Sequence, residues 1–305
     1  MNNPEKTFYK RINNNQFVYH YTSIDAIFSI LEEYRQNGCH ALPFWAGCIY
    51  KTNDSREMEL GFDTLKNILP RYEKERDDNI KISDVFGNSE YESSCKEKLF
   101  QRPIDGIVEM SSIPYTISFS CKRDFLPMWS MYGDGKKGVC LKFRLPKLID
   151  LLRGHLQFCF VYYEGERENI IEDYLLPTLY EFDAKRAPER MSIDDKTSEL
   201  SILCDCVSPF IKTKDWAYEE EFRIVYHEHY GPELDDDFFK SLQLTLNKIK
   251  VKNHITLPIN AQSLEEIIIG PLANYKVIEH ILRNELNECL LNNIEITSSS
   301  IQISK

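Results

Sequence analysis

Short apolar runs of strand type recur along the whole length of this chain, and that dispersal constrains its fold more than any other feature. They fall at 18–21, 49–52, 115–120, 139–143, 158–163, 222–226, 250–258 and 264–269, with stretches of helical spacing between them. A chain of 305 residues has room for one large domain or two ordinary ones. Strands spread from end to end favour one α+β domain over 1–305, with helical insertions near 56–110 and 165–213.

Several helices read clearly. Ile24, Ile27, Phe28, Leu31 and Tyr34 recur at helical spacing, Thr22 and Asp25 fit a capping box before them, and Gly38 follows. A polar helix is expected over 56–77 and a short amphipathic one over 126–132, stopped by Gly133 and Gly135. The region 168–213 reads as mainly helical, Asp235-Asp236-Asp237 opens another helix, and a last one spans 275–290 before two extended pieces in 294–303.

Hydrophobic residues make up 42% of the chain and aromatics 12%, enough for a sizeable packed core. The formal charge of -11 gives no footprint for nonspecific nucleic-acid binding, although a local basic groove stays compatible with it. The nine cysteines are irregularly spaced, so reduced thiols and a cytoplasmic location are expected. The polar first ten residues have no apolar signal-peptide core, and no run reaches membrane-spanning length. Cys204-x-Cys206 has no second pair, and Cys39-His40 with Cys48 is weaker still, so no metal site is expected.

Four patches stand out. His20-Tyr21-Thr22 closes a strand and opens a helix, where free N–H groups favour an anion; on the sequence alone a structural histidine and a capping threonine are the better explanation. Thr52-Asn53-Asp54-Ser55 with Glu57 reads as a helix cap or a polar ligand contact. Ser118 and Ser120 share a strand face with Phe119 opposed, followed by Trp129 and Tyr132 on one helix side, a spacing usual in cores. Gly133, Gly135 and Gly138 resemble a phosphate loop loosely, without a Walker pattern. The fourth patch holds Lys212, Lys214, Trp216, Tyr218, Glu219, Glu221 and Arg223 within twelve residues. In a strand Glu219, Glu221 and Arg223 would share one side, and Glu220, Phe222, Ile224 and Tyr226 the other. Such a charged face is costly unless it borders water or a polar site, so a functional edge strand is expected here.

In this order the patches resemble an uncharacterised bacterial family, the DUF2971 group, itself similar to abortive phage-resistance proteins of the AbiGi type. The carrying pieces are His20-Tyr21-Thr22-Ser23, Asn53-Asp54 with Glu57, Phe119-Ser120, Met128-Trp129-Ser130 with Tyr132, Gly138-Val139-Cys140, Trp216 to Glu219 with Glu221 and Arg223, and Ile267 to Pro271. More distantly the family resembles the ADP-ribosyltransferase fold, in which a split β-core binds NAD in an open cleft. That resemblance implies NAD as substrate and Glu219 and Glu221 as the catalytic carboxylates. It also implies a cofactor-binding set of His20, Tyr21, Thr22, Asn53, Ser118, Ser120, Trp129, Tyr132 and Arg223. The acceptor would be a nucleic acid or a protein, as for a toxin or antiphage effector. Two other readings stay open: a metal-dependent nuclease using Asp54, Glu57, Glu219 and Glu221, and a non-catalytic ligand-binding sensor on the same scaffold.

Overall fold

The fold is organised by one strand with three partners. The structure is a computed structural model and describes residues 15–51, 56–75, 81–100, 114–150, 156–163, 193–227 and 254–303. Strand β3 (Pro114–Ser120) starts on a proline, where a missing N–H costs least. Its alternation puts Tyr115, Ile117 and Phe119 on one face, in the core, and Thr116, Ser118 and Ser120 on the other.

One edge of β3 pairs along its full length with β8 (Glu221–His227), from Pro114 opposite His227 to Ser120 opposite Glu221. The other edge is shared. Tyr19 of β1 (Phe17–Thr22) stands opposite Ser120, while Gly47 and Cys48 of β2 (Leu42–Cys48) stand opposite Thr116 and Tyr115. Residues 117–119 therefore face a fork where β1 and β2 part. Beyond β1 the sheet continues through β4 (Val139–Arg144), β10 (Leu264–Ile269) and β11 (Glu295–Ser298). Beyond β2 it ends at β9 (His254–Ile259), and β5 (Gln157–Phe160) flanks β8. Only β10 and β11 run parallel among these described pairs.

Helix α1 (Ile24–Gln36) buries Ile27, Leu31 and Tyr34, the residues its period singles out. Its N-cap is Ser23, whose hydroxyl accepts from the Ala26 N–H; the capping box expected from Thr22 gives way because β1 runs through Thr22. Helices α2 (Glu57–Glu75), α3 (Ser89–Phe100) and, later in the chain, α6 (Ile193–Val207) form a second apolar cluster with Phe62, Leu65, Leu203 and Val207. Between α3 and α6 come α4 (Leu126–Met131) and α5 (Leu145–Asp150); α7 (Tyr275–Glu288) packs on the sheet through Leu282 and Leu286. No helix of the described residues is long and apolar enough to cross a membrane.

Other expectations need correction. The piece at 49–52 is not extended over 49–51, which form a 3-10 turn; the strand lies just before it. The run 158–163 divides into β5 and the two-residue β6 (Tyr162–Tyr163), which pairs with β7 (Ile211–Lys212) instead of β8. Within 294–303 only β11 pairs. Strand β8 is no edge: it lies between β3 and β5 with all seven residues buried. Gly133 and Gly138 serve close packing, since a Cβ at Gly138 would stand 2.1 Å from the Thr22 carbonyl oxygen, while Gly135 supplies a φ of 58°. Asn53, Asp54, residues 168–192 and Asp235 to Asp237 lie outside the described residues.

Candidate functional site

A cavity of about 310 Å³ opens on the Thr116–Ser118–Ser120 face of β3, at the fork. The pleat sets its lining. Residues opposite one another in antiparallel strands point the same way, so Tyr19, Gly47, Glu221 and Arg223 share the face of their β3 partners. Met128 of α4 and its C-cap residue Tyr132 close one wall, Lys212 arrives from β7 and Glu219 from the turn before β8.

Glu219 does not reach the site as a strand residue. The 3-10 turn at Lys214–Glu219 ends on Glu220, whose φ of 42° lies in the left-handed region and turns the chain before β8 begins at Glu221. Lys212 brings the two glutamates together instead. Its Nζ lies 2.7 Å from Glu219 Oε2 and 2.8 Å from Glu221 Oε2. The Tyr132 hydroxyl donates to Glu219 Oε1 at 2.5 Å. Arg223 Nε donates to Glu221 Oε1 at 2.6 Å, and its two terminal nitrogens clamp Glu57 of α2 at 2.8 Å each. The backbone N–H of Glu221 donates to the Tyr163 hydroxyl oxygen at 3.0 Å.

Glu57 and Arg223 are each only 1% exposed, so their charges require partners. Burial opposes ionisation of Glu221, but Arg223 and Lys212 outweigh it and hold the carboxyl at about 2. Burial likewise works against the Lys212 ammonium, and Glu221 leads the carboxylates that keep it protonated, above its ordinary range. Burial pushes Glu57 up against the pull of Arg223, while the bidentate clamp is the geometry of an ionised carboxylate. Three carboxyl groups thus converge on two cations beside the cavity.

His20 fills the fork. Its Nδ1 lies 2.9 Å from the Ser118 carbonyl oxygen, so Nδ1 carries the proton and Nε2 the lone pair. The ring sits edge-on to Phe44 and Phe119, and burial lowers its pKa, so it is neutral near pH 7. His20 supplies the donor that a strand would have offered Ser118, which gives it a structural duty as well as a place in the lining.

Of the residues expected at the site, His20, Tyr21, Ser118, Ser120, Tyr132, Glu219, Glu221 and Arg223 all line this cavity. Two of them are committed to the fold. The Ser120 hydroxyl donates to the Glu219 carbonyl at 2.5 Å, and the Tyr21 hydroxyl donates to the Lys122 carbonyl at 2.7 Å. Trp129 and Thr22 do not line the cavity. Trp129 is fully buried, donates from Nε1 to Asp124 and packs edge-on against Tyr21; Thr22 is paired with Val139 at the end of β1. Lys212, noted in the fourth patch only for its charge, is the hub of the cluster. Trp45 and Gly47 also line the cavity and went unassigned in the sequence. Buried Leu42, Phe44, Ala46 and Cys48 around exposed Trp45 carry the period-2 signal that marks β2.

A family model described as "Protein of unknown function (DUF2971)" matches residues 128–224, about a third of the chain. Over that stretch, from α4 into β8, the chain is similar to the family; the stretch holds Tyr132, Lys212, Glu219, Glu221 and Arg223 but not β1, β2 or β3. No curated protein and no solved structure matches the chain.

Proposed function

We propose that the cavity binds NAD, breaks its nicotinamide–ribose bond and passes ADP-ribose to an acceptor on a nucleic acid or protein. The observation that carries this reading is the pair of buried glutamates, Glu219 and Glu221, gathered on Lys212 against a cavity at a fork in the sheet. As the bond breaks, its electron pair leaves with the nicotinamide nitrogen and positive charge develops on the ribose. Preorganised carboxylates stabilise that charge where water is excluded. The fork is also the kind of split that an ADP-ribosyltransferase-like core requires.

The two glutamates suit different tasks. Glu221 faces two cations and stays ionised and fixed, fit to hold the ribose and its developing charge. Glu219 shares one cation, and its other oxygen meets a neutral hydroxyl from Tyr132, half-buried in the cavity wall. A substrate can displace that hydroxyl, leaving Glu219 to accept the proton of the attacking acceptor. The metal-dependent reading draws on the same carboxylates. Their oxygens face Lys212 and Arg223, however, and among the described residues no group of three His, Cys, Asp or Glu is arranged to hold a metal ion.

The test is nicotinamide release from NAD by the purified protein, with and without cell lysate as a source of acceptor. Release that Glu219→Gln and Glu221→Gln each reduce at least 100-fold is expected. Folded protein that neither binds nor cleaves NAD in the presence of lysate overturns the reading.

A further inference from the structure

Trp45 stands at the cavity rim with 62% of its surface exposed, on a strand whose Leu42, Phe44, Ala46 and Cys48 are buried. The indole is nonetheless held. His254, the first residue of β9, lies flat against it with ring centroids 4.2 Å apart and planes 18° from parallel. The β2–β9 register, with His254 opposite Gly47 and Thr256 opposite Trp45, makes this a diagonal pair on the cavity face.

Beside the indole there is room. A Cβ built on Gly47, two residues along the same face, would meet nothing within 4 Å. Thr116 lies across the ladder from Gly47, and Ser118 follows it on the cavity face. A braced aromatic face, a vacant floor and adjoining hydroxyls fit a flat heteroaromatic ring.

Position decides which ring. Trp45 is on β2, whereas Glu221 enters from β8 and Glu219 from the turn before it, on the far side of β3. Two strand spacings, about 10 Å, are the least that separates them, since β2 has parted from β3 at Trp45. A ring on Trp45 therefore cannot be the one leaving the ribose beside Glu219; it is the other end of the dinucleotide. We infer that Trp45, braced by His254 over the Gly47 floor, is the stacking platform for the adenine ring. The choice of ligand rests on the NAD reading above.

The experiment titrates the full-length protein with AMP, nicotinamide mononucleotide and NAD by calorimetry, with Trp45→Ala, Trp45→Phe and Gly47→Val alongside. Circular dichroism and thermal melts confirm that each variant is folded. Trp45→Ala is expected to weaken AMP and NAD roughly 10- to 100-fold, the usual effect of removing a base-stacking aromatic. Gly47→Val, which fills the floor, should act in the same direction. Trp45→Phe should stay within a few-fold, and nicotinamide mononucleotide should be unaffected by all three. AMP affinity unchanged in both Trp45→Ala and Gly47→Val, with NAD still bound, overturns the platform and spares the NAD reading. A loss confined to nicotinamide mononucleotide overturns the adenine assignment. Folded wild-type protein that binds neither AMP nor NAD overturns both. AMP bound through Trp45 without any nicotinamide release supports the platform and sinks the glycosidic step alone.

Discussion

Replacing Arg223 with methionine keeps an unbranched apolar stem and removes one charge from the centre of the cluster. Four hydrogen bonds go with it: one to Glu221, two to Glu57, and one from Nη1 to the Pro209 carbonyl at 2.6 Å. Glu57 is then left with Lys212 Nζ at 3.9 Å as its cationic partner. Breaking a buried ion pair from one side costs about 3–5 kcal/mol. Against a whole-domain stability of about 5–15 kcal/mol, the variant should be folded but visibly weakened at pH 7.

The pH dependence gives that prediction a second signature. In the wild type Glu221 titrates at about 2 when folded, against an ordinary 4.5. On acidification the unfolded chain takes up its proton first. The stabilisation is complete above about 4.5 and lost as pH falls towards 2, and at about 1.4 kcal/mol per unit it amounts to about 3 kcal/mol. Without Arg223 the largest opponent of burial is gone, so Glu221 rises from its lowered position and Glu57, already raised, goes higher. The folded variant then takes up protons first, so acid helps it. Urea melts from pH 8 to pH 4 should show the gap between variant and wild type narrowing as pH falls. A loss below about 1 kcal/mol at pH 7, or a gap that does not move with pH, would falsify the electrostatic account.

Two further outcomes follow from single groups. Tyr132→Phe removes the hydroxyl that a substrate displaces from Glu219 Oε1, so nicotinamide release should stay within a few-fold of wild type or rise, and a much larger loss would show that Tyr132 keeps its bond to Glu219 in the working complex. His227 is held neutral by burial, its pKa lowered from 6.5 to about 4. Its contribution is full above 6.5 and is lost as pH falls to about 4, some 3 kcal/mol in all, so His227→Gln should flatten the stability profile across that window.

The parts of the fold legible in the sequence are those whose pattern is local. The five apolar positions of α1 and the runs that became β3 and β10 each carry their period within one element. Strand β2 is hard to read because the alternate positions Pro43, Trp45 and Gly47 are not polar, so its buried period-2 set has no contrasting face. The site was half legible. Glu219, Glu221 and Arg223 were expected together on a pleated face and do come together, but for a different reason. The left-handed Glu220 ends the strand register, and Lys212 gathers the glutamates from a turn and a strand. Nothing local announces that Glu57, 166 residues before Arg223, supplies the bidentate carboxylate. Nor does it announce that β8 is an inner strand; that follows from pairing β5 and β3 on its two edges.

Burying three carboxyl groups and two cations around an inner strand is a poor way to stabilise a fold. Apolar replacements of a buried ion pair are commonly neutral or stabilising by about 1–4 kcal/mol. The paired change Glu57→Leu with Arg223→Met separates stability from function on that basis. It removes one charge of each sign and leaves Lys212 facing Glu219 and Glu221, so no carboxylate loses its last cation. Stability should return to within about 2 kcal/mol of wild type, well above Arg223→Met alone. Nicotinamide release should not return, because Glu221 has lost the Arg223 Nε–H that fixes one of its oxygens. Release at the wild-type rate from the paired variant would show that Glu57 and Arg223 do not position Glu221. Stability as low as that of Arg223→Met would show that the pair holds α2 against β8 by its own bonds, and that the cluster belongs to the scaffold before it belongs to the site.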